Sequence, residues 1–177
     1  MPKLVVFAGN PGKEYEQTRH NIGWMLIPYL PFQDISLWKE KFKGIFAQSQ
    51  FHAKTVYLLK PLTYMNKIGE SVQSCLAYFK LTPDQMLVIH DDLELPFGKT
   101  VLKTGGGSGG HNGLRSIVHS IGTEQFCRLR IGIGRPGHGS VSSYVLSRFS
   151  SEEEPELPDV LSKAAELLVS FIDSERS

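Results

Sequence analysis

The chain has 177 residues and a mass of 19.8 kDa, a length that suits one domain able to bury roughly 70% of the surface exposed by its unfolded form. Hydrophobic residues make up 41% and charged residues 21%, ordinary globular values that exclude extensive disorder, and no apolar run approaches the ~20 residues of a membrane-spanning helix. The first apolar stretch is too short for a signal peptide, and two cysteines without metal-ligand spacing fit a reducing cytoplasm better than a zinc or iron–sulfur centre.

Apolar patterning along the chain predicts strands that alternate with helices. In chain order, the predicted elements are a strand at 3–7, a helix from about His20 to Leu30 that Pro28 kinks or shortens, two strands within 46–59, a helix at 65–79, strands at 86–90, 101–104 and 127–133, and helices at about 114–121 and 158–173. This alternation is typical of a three-layer α/β domain with a largely parallel or mixed sheet. We therefore expect a single domain over residues 1–177.

Charge is distributed unevenly, although the whole chain carries only +1. Residues 98–150 hold seven basic side chains and one acidic side chain, a local net charge of +6, whereas residues 151–177 carry −6. A basic middle region of this kind suits a polyanion with several phosphates. A solvated basic face balanced by an acidic helix explains the same pattern, so charge alone leaves both interpretations open.

Polar side chains cluster where the predicted strands end and the helices begin, which is where α/β sheets gather their ligands. They are Asn10, His20, Asn66, His90, Asp91, His111 and Asn112. Asparagines donate and accept hydrogen bonds without changing charge, so they suit the positioning of a carbonyl, an amide or a water. A histidine beside a carboxylate suits general acid–base catalysis. Taken singly, each asparagine is more often a turn or helix cap, and each histidine is more often structural.

The glycine-rich segment 105–113 matches two unrelated motifs by composition. Its GxGxxG spacing comes too late in the chain for a dinucleotide site, and its GxSxG spacing around Ser108 lacks a well-placed acid and histidine downstream. The remaining interpretations are a flexible hairpin, or a loop whose backbone approaches a bulky ligand at an anion-favouring helix start. In the second case, Lys103 and Arg130 could bind a phosphate.

Five blocks of the chain stand out together: GNPGKEYEQTRHNIGWM (9–25), KPLTYMNKIGESV (60–72), HDDLELPFGK (90–99), GGGSGGHNGLRSI (105–117) and RLRIGIGRP (128–136). Because of the order and spacing of these blocks, the chain resembles the bacterial peptidyl-tRNA hydrolase family from residue 4 to about residue 149. The resemblance implies a mixed, twisted sheet flanked by helices, and a monomeric cytoplasmic esterase that cleaves the peptide–tRNA ester without a cofactor or metal. Its implied partner is peptidyl-tRNA, bound through the acceptor end and the 5′ phosphate, with no membrane partner.

The resemblance also implies roles for particular positions. The implied catalytic residues are His20 as the base, Asp91 as its supporting acid, and Asn10. Asn66 and Asn112, together with Asn10, are implied to hold the substrate and the attacking water. Tyr15 and Tyr64 are implied to contact the tRNA end, and Lys103 and Arg130 to contact the phosphate. The chemistry of these side chains agrees, because a neutral imidazole is suited to take a proton from water near pH 7. We expect Asp91 to accept the Nδ1–H of His20 and to leave Nε2 facing the water.

Two other functions remain open from the sequence. A non-catalytic RNA-binding module could use the same scaffold, although the presence of His20, Asp91 and three asparagines argues against it. A serine esterase that uses Ser108 is the third interpretation.

Overall fold

The computed structural model describes residues 1–32 and 37–174, and within them seven strands form one mixed sheet. The strands are β1 (Lys3–Phe7), β2 (Lys39–Lys41), β3 (Gly44–Phe51), β4 (Lys54–Pro61), β5 (Met86–Asp92), β6 (Thr100–Thr104) and β7 (Cys127–Gly132). Their order across the sheet is β2-β3-β4-β1-β5-β7-β6. The four central strands β4, β1, β5 and β7 run parallel, and the outer pairs β2–β3, β3–β4 and β6–β7 are antiparallel. The predicted mixed α/β sheet is confirmed.

β1 lies at the centre of the sheet because its residues are apolar on both faces. Leu4 and Val6 point into one hydrophobic core, and Val5 and Phe7 point into the other. Such a continuous apolar run is what a strand covered by helices on both sides requires. The sheet therefore separates two cores, as in the predicted three-layer arrangement.

Helices cover both faces of the sheet. The α-helices of the described residues are α1 (Ile22–Met25), α2 (Ile68–Phe79), α3 (Asn112–Ile121), α4 (Val141–Val145) and α5 (Leu157–Asp173), and the 3₁₀ turns are Lys13–Tyr15, Arg19–Asn21, Ile27–Tyr29, Met65–Lys67, Pro83–Gln85 and Glu154–Glu156. Helices α2 and α3 supply one core, and α1 and α5 supply the other. In the described ranges, no helix combines the length and apolar character needed to cross a bilayer.

Three local features of the structure either differ from the predictions or were not predicted. The helix expected from His20 to Leu30 is instead a four-residue α1 between two 3₁₀ turns, and Pro28 lies in the second of these turns, as expected for a residue that cannot continue an α-helix. The alternation of apolar residues with Arg128 and Arg130 in 127–133 predicts a half-buried strand, but β7 is buried on both faces because the side chain of Arg128 is enclosed. β2 and α4 are too short and polar to leave a recognisable pattern in the sequence.

Candidate active site

Three neighbouring parallel strands end at one edge of the sheet, and each brings a predicted site residue there. β1 is followed by Asn10, β5 holds Asp91 near its end, and β4 leads through a short turn to Asn66. Because the strand order is β4-β1-β5, residues from three separate parts of the chain converge at this edge. This edge is where ligands of α/β sheets bind.

α1 rests unusually close to the ends of these strands. A Cβ at Gly23 would lie 2.8 Å from the carbonyl oxygen of Ala8 and 2.9 Å from that of Ile89, so a side chain at this position would push the helix away. The preceding 3₁₀ turn carries His20 over the same edge. The close approach of α1 therefore sets the height of His20 above the sheet.

His20 and Asp91 are hydrogen-bonded, as expected from the sequence. His20 Nδ1 lies 2.8 Å from Asp91 Oδ2, and both side chains are buried. Since an ionised carboxylate only accepts hydrogen bonds, Nδ1 carries the proton and the Nε2 lone pair remains available. This geometry is the one that a neutral imidazole base needs.

A second imidazole binds the other oxygen of the same carboxylate. His111 Nε2 lies 2.8 Å from Asp91 Oδ1, and His111 Nδ1 accepts the backbone N–H groups of Gly113 and Leu114 at 3.1 and 3.2 Å. His111 is therefore the N-cap of α3, and its Nε2 carries the proton. The rings of His20 and His111 have centroids 5.0 Å apart.

These contacts determine the charge of Asp91. Burial alone would raise the pKa of the carboxyl, but the electrostatic attraction and hydrogen bonds of His20 and His111 outweigh it and hold the pKa of Asp91 well below its usual range. Asp91 is therefore ionised throughout the physiological pH range.

His90 lies beside His111, with ring centroids 5.1 Å apart, and is in a different protonation environment. Burial, reinforced by His111, lowers the pKa of His90 to about 4. Its Nδ1 donates to the Asp91 carbonyl oxygen at 2.8 Å, while its Nε2 has no hydrogen-bond partner among the described residues. His90 is therefore a neutral, structural histidine at physiological pH.

Asn10 is held by both its backbone and its side chain. The Asn21 amide bonds the backbone N–H and C=O of Asn10, each at 2.9 Å, and Asn10 Oδ1 accepts the backbone N–H of Met65 at 2.6 Å. With Oδ1 occupied in this way, the Nδ2 donor of Asn10 is the group left for a ligand. Asn21 follows His20 directly, so the same contacts connect Asn10 to the imidazole.

Asn66 and Asn112 are exposed at the starts of two helical segments that pack against each other. A Cβ at Gly113 would lie 2.6 Å from Met65 Sδ, which shows how closely the two segments approach. Each asparagine is the chain neighbour of one of these two residues. The predicted asparagines are thus gathered around Met65.

The two predicted tRNA-contacting tyrosines lie together. The rings of Tyr15 and Tyr64 meet edge to face with centroids 6.4 Å apart, and Tyr64 is 52% exposed. Tyr64 has φ 65° and ψ 155°, a conformation normally confined to glycine. The turn it makes directs the Met65 N–H toward Asn10.

A cavity of ≈ 300 Å³ opens beside the imidazoles. The predicted site residues that line it are His20, Asp91, Lys103, Asn112 and Arg130, whereas Asn10, Tyr15, Tyr64 and Asn66 lie outside its lining. The glycine-rich loop, the end of β5 and α4 complete its walls. The cavity therefore joins the candidate base to the candidate phosphate contacts.

The two arginines of β7 have different surroundings. Arg128 is buried, and its guanidinium donates to the carbonyl oxygens of Gly107 at 2.6 Å and Gly106 at 2.5 Å, so it anchors the glycine-rich loop. Arg130 is partly exposed, and its Nε donates to Asp92 Oδ2 at 2.7 Å. Of the two, Arg130 is the one open to a ligand.

Sequence reasoning assigned no role to His111, Asn21 or Arg128, which all support the site. His111 appeared in the sequence as a polar residue before a helix, but histidine is not a typical N-cap and its bond to Asp91 depends on the tertiary fold. Asn21 and Arg128 act on the backbone of other segments, and no local pattern reveals such contacts.

Other chemistries find less support in the arrangement. Ligand atoms of His20, Asp91 and His111 lie within 4.8 Å of one another, but a metal ion bound by them would replace the two protons that join the imidazoles to the carboxylate. In the described part of the chain, no imidazole is hydrogen-bonded to the Ser108 hydroxyl, and the only bond between Ser108 and a histidine is the one from the His111 backbone N–H to the Ser108 carbonyl oxygen. Burial raises the pKa of the Cys75 thiol to about 12, which makes it a poor nucleophile.

Comparisons with known proteins agree on one family. A model of the peptidyl-tRNA hydrolase family matches residues 4–177. The peptidyl-tRNA hydrolase of Geobacillus thermodenitrificans is 51% identical over 166 residues, which cover 93% of this chain and 89% of that protein, and that of Geobacter sp. is 46% identical over 171 residues, 96% and 91% of the two chains. The crystal structure of an Arg119Gln mutant of the Acinetobacter baumannii enzyme superposes with a TM-score of 0.83 at 42% identity, covering 96% of this chain and 89% of that one.

The fold, the buried histidine–carboxylate pair and these matches define a hydrolase that acts on an ester bond. The chain belongs to the peptidyl-tRNA hydrolase family. The family implies peptidyl-tRNA as the substrate and a role in translation.

Proposed function

We propose that the protein hydrolyses the ester between the peptide and the terminal ribose of peptidyl-tRNA, with His20 as the general base that activates water. The observation that carries this proposal is the Asp91 carboxylate, whose two oxygens bond His20 Nδ1 and His111 Nε2 at 2.8 Å each. This arrangement fixes the His20 tautomer and leaves Nε2 as the acceptor for a water proton. Asp91 then stabilises the imidazolium that forms.

The amides supply the second part of the proposed mechanism. Asn10, with Oδ1 bonded to Met65, presents Nδ2 as a donor, and Asn66 lies next to the same residue. A donor aimed at the developing oxyanion stabilises the transition state by roughly 3 kcal/mol. The proton taken by His20 passes to the departing ribose oxygen, and the peptide carboxylate and the tRNA are released.

The tRNA is bound on the basic side of the cavity in this proposal. Lys103 and Arg130 line the cavity and take the 5′ phosphate, and Tyr15 and Tyr64 contact the acceptor end. Arg130 is oriented for this role by its bond to Asp92. Phosphate contacts of this type give affinity without sequence preference.

Replacement of the base tests the central step. His20→Ala is expected to lower kcat for an N-blocked aminoacyl-tRNA by about 10²–10⁴-fold, the usual contribution of general-base assistance. His119→Ala, at an exposed position on α3 outside the cavity lining, is the matched control and should keep the wild-type kcat. A His20→Ala enzyme with a kcat close to that of the control would contradict the proposal. The non-catalytic RNA-binding alternative predicts no turnover in the wild type or in either variant, with tRNA binding intact.

Discrimination against unblocked aminoacyl-tRNA is proposed to depend on Asn10 and Asn112, which bond the peptide amide. Asn10→Asp keeps the oxygen that accepts from Met65 but loses the Nδ2 donor. We expect it to reduce kcat/KM for the N-blocked substrate far more than for the unblocked one, since an unpaired polar group in a closed site costs several kcal/mol. The measurement is the ratio of the two kcat/KM values, and an unchanged ratio would refute the assignment.

We further propose that residues 1–177 act as one monomeric catalytic domain that rescues tRNA in the cytoplasm. A reducing compartment fits the burial of both cysteines. Light scattering of the purified enzyme at assay concentration tests the monomer directly, and a dimeric mass would overturn it.

A further inference from the structure

A buried arginine precedes the proposed base in the chain. The Arg19 side chain is only 9% exposed, and its Nη2 lies 2.9 Å from Glu153 Oε1. Its Nη1 donates to Ser147 Oγ and, at 2.6 Å, to the Arg148 carbonyl oxygen. The guanidinium also lies over the Tyr144 ring, 4.1 Å from the centroid. All these partners belong to one stretch, residues 141–153, which we call the α4 segment.

The α4 segment is part of the site as well as a partner of Arg19. Val141, Ser142 and Val145 of this segment line the cavity beside His20. Its far end is fixed by Glu153, whose Oε1 also accepts the Ser150 backbone N–H at 2.9 Å. Glu153 therefore lies between a backbone donor and the guanidinium, and is not one of the freely solvated acids of the C-terminal region.

Residues 18, 19 and 21 each bond the turn that carries His20 to another segment of the chain. Thr18 forms an antiparallel bridge with Arg148, and the Arg19 N–H donates to the Ser147 carbonyl oxygen at 2.9 Å. Beyond His20, the Asn21 side chain holds the Asn10 backbone. The one-turn 3₁₀ helix has little rigidity of its own, so the flanking contacts decide where the imidazole lies.

We propose that Arg19, through its ion pair with Glu153, is a positioning residue. It fixes the position of the His20 imidazole relative to the cavity wall formed by the α4 segment. The inference rests on the proposed function of His20 and adds a residue that does not touch the substrate. A planar guanidinium satisfies two backbone or side-chain acceptors, a carboxylate and an aromatic face at once, which an ammonium cannot do. A small displacement of His20 costs much of the rate, because a misplacement of ~1 Å reduces catalysis by about 10²-fold.

The test compares Arg19→Met, Arg19→Lys and Glu153→Gln with Leu168→Ala. Leu168 is buried on α5 and is absent from the cavity lining, so its truncation lowers stability without touching the site. With every variant kept below its unfolding transition, Arg19→Met should lower kcat for an N-blocked aminoacyl-tRNA by about 10²-fold with KM nearly unchanged. Arg19→Lys should recover part of the loss, and Glu153→Gln should lower kcat by a smaller factor than Arg19→Met.

A spectroscopic measurement separates positioning from general loss of stability. The His20 Nδ1–H proton, identified in the NMR spectrum by its loss in His20→Ala, should shift in Arg19→Met and stay in place in Leu168→Ala. A wild-type kcat and an unshifted proton in Arg19→Met would overturn the inference. If Arg19→Met does not fold, the same readouts in Arg19→Lys and Glu153→Gln decide the question.

The two proposals fail in distinguishable ways. If His20→Ala remains active, the proposed base is wrong whatever Arg19 does. If His20→Ala is inactive while Arg19→Met and Arg19→Lys behave like the wild type, only the positioning role is wrong.

Discussion

The environments of three neighbouring histidines show how single contacts decide which ring nitrogen carries a proton. His20 and His111 each direct an N–H at the Asp91 carboxylate, whereas His90 donates only to a backbone carbonyl oxygen. Burial and the His111 ring, whose centroid is 5.1 Å from that of His90, lower the pKa of His90 by more than the charges of Asp91 and Asp92 raise it. A proton on its Nε2 would lie in an enclosed position without an acceptor among the described residues. His90 therefore stays neutral.

The burial of His90 makes the stability of the fold depend on pH. Its pKa falls from 6.5 to about 4 on folding, so between these values the unfolded chain binds more protons at His90 than the native state does. The contribution of His90 to the free energy of unfolding is fully present above pH 6.5 and is lost as the pH falls toward 4, a loss of about 3 kcal/mol. His90→Asn, which keeps a donor for the Asp91 carbonyl, should remove that part of the dependence in urea unfolding measured between pH 4 and 7. The same slope in variant and wild type would contradict the assignment.

At the scale of elements, the start of α3 serves both the helix and the site. His111 caps the helix with Nδ1 and bonds Asp91 with Nε2. Its position therefore couples the orientation of α3, and with it Asn112, to the carboxylate that holds His20.

Two substitutions separate these roles of His111. His111→Ala loses the cap and should reduce the free energy of unfolding by about 1 kcal/mol or more, whereas His111→Asn provides a good N-cap and should recover most of this loss. Neither variant retains the bond to Asp91, so both should lower kcat on the N-blocked substrate. Chemical unfolding and steady-state kinetics measure the two effects. A full kcat in His111→Asn would show that the bond to Asp91 has no part in catalysis.

The sequence predicted the long elements and missed the short ones for a physical reason. α2 and α5 bury one regular apolar stripe each, with Val72 and Leu76 on α2 and Leu161 and Leu168 on α5, and such stripes have a clear period. β2 has three exposed charged residues, pairs with β3, and places Lys41 Nζ 3.7 Å from the centroid of the Tyr78 ring. Short elements of this type depend on tertiary contacts that no local pattern records.

The site itself was more predictable than its support. Asn10, Asn66 and Asp91 follow strands, and the parallel order of those strands makes them neighbours, so strand prediction sufficed to group them. The pairing of His20 with Asp91 was implied by the resemblance to the family, and the chemistry of the two side chains agreed with it. The contacts of Arg19, Asn21 and His111 join segments whose relative positions are set only by the packed structure.

At the scale of the whole molecule, the basic and acidic regions of the chain occupy different places in the structure. Lys103 and Arg130 from the basic region 98–150 line the cavity, while Glu153 from the acidic region is used internally against Arg19. The acidic region is thus not a uniformly solvated surface. The basic side of the cavity is the part of the molecule suited to meet a phosphate.

Salt dependence tests this distribution. KM for a full-length N-blocked aminoacyl-tRNA should rise with salt, and Lys103→Ala should raise KM while reducing the slope of log KM against log salt by about 0.7–0.9, the value for one phosphate contact. kcat should change little. Lys163→Ala, at an exposed position on α5, removes the same charge away from the cavity and should leave the slope as in the wild type. A KM that does not respond to salt would contradict phosphate binding on this side.

The convergence of β4, β1 and β5 also makes the site depend on the register in which the strands pair. Successive side chains of a strand face opposite ways, so a slip of one residue in the pairing of β5 with β1 would turn the Asp91 carboxylate away from the imidazoles. Under the proposed mechanism, such a misassembled copy lacks the carboxylate partner of His20 and is inactive. Hydrolytic activity by that mechanism requires β5 to pair with β1 in the observed register.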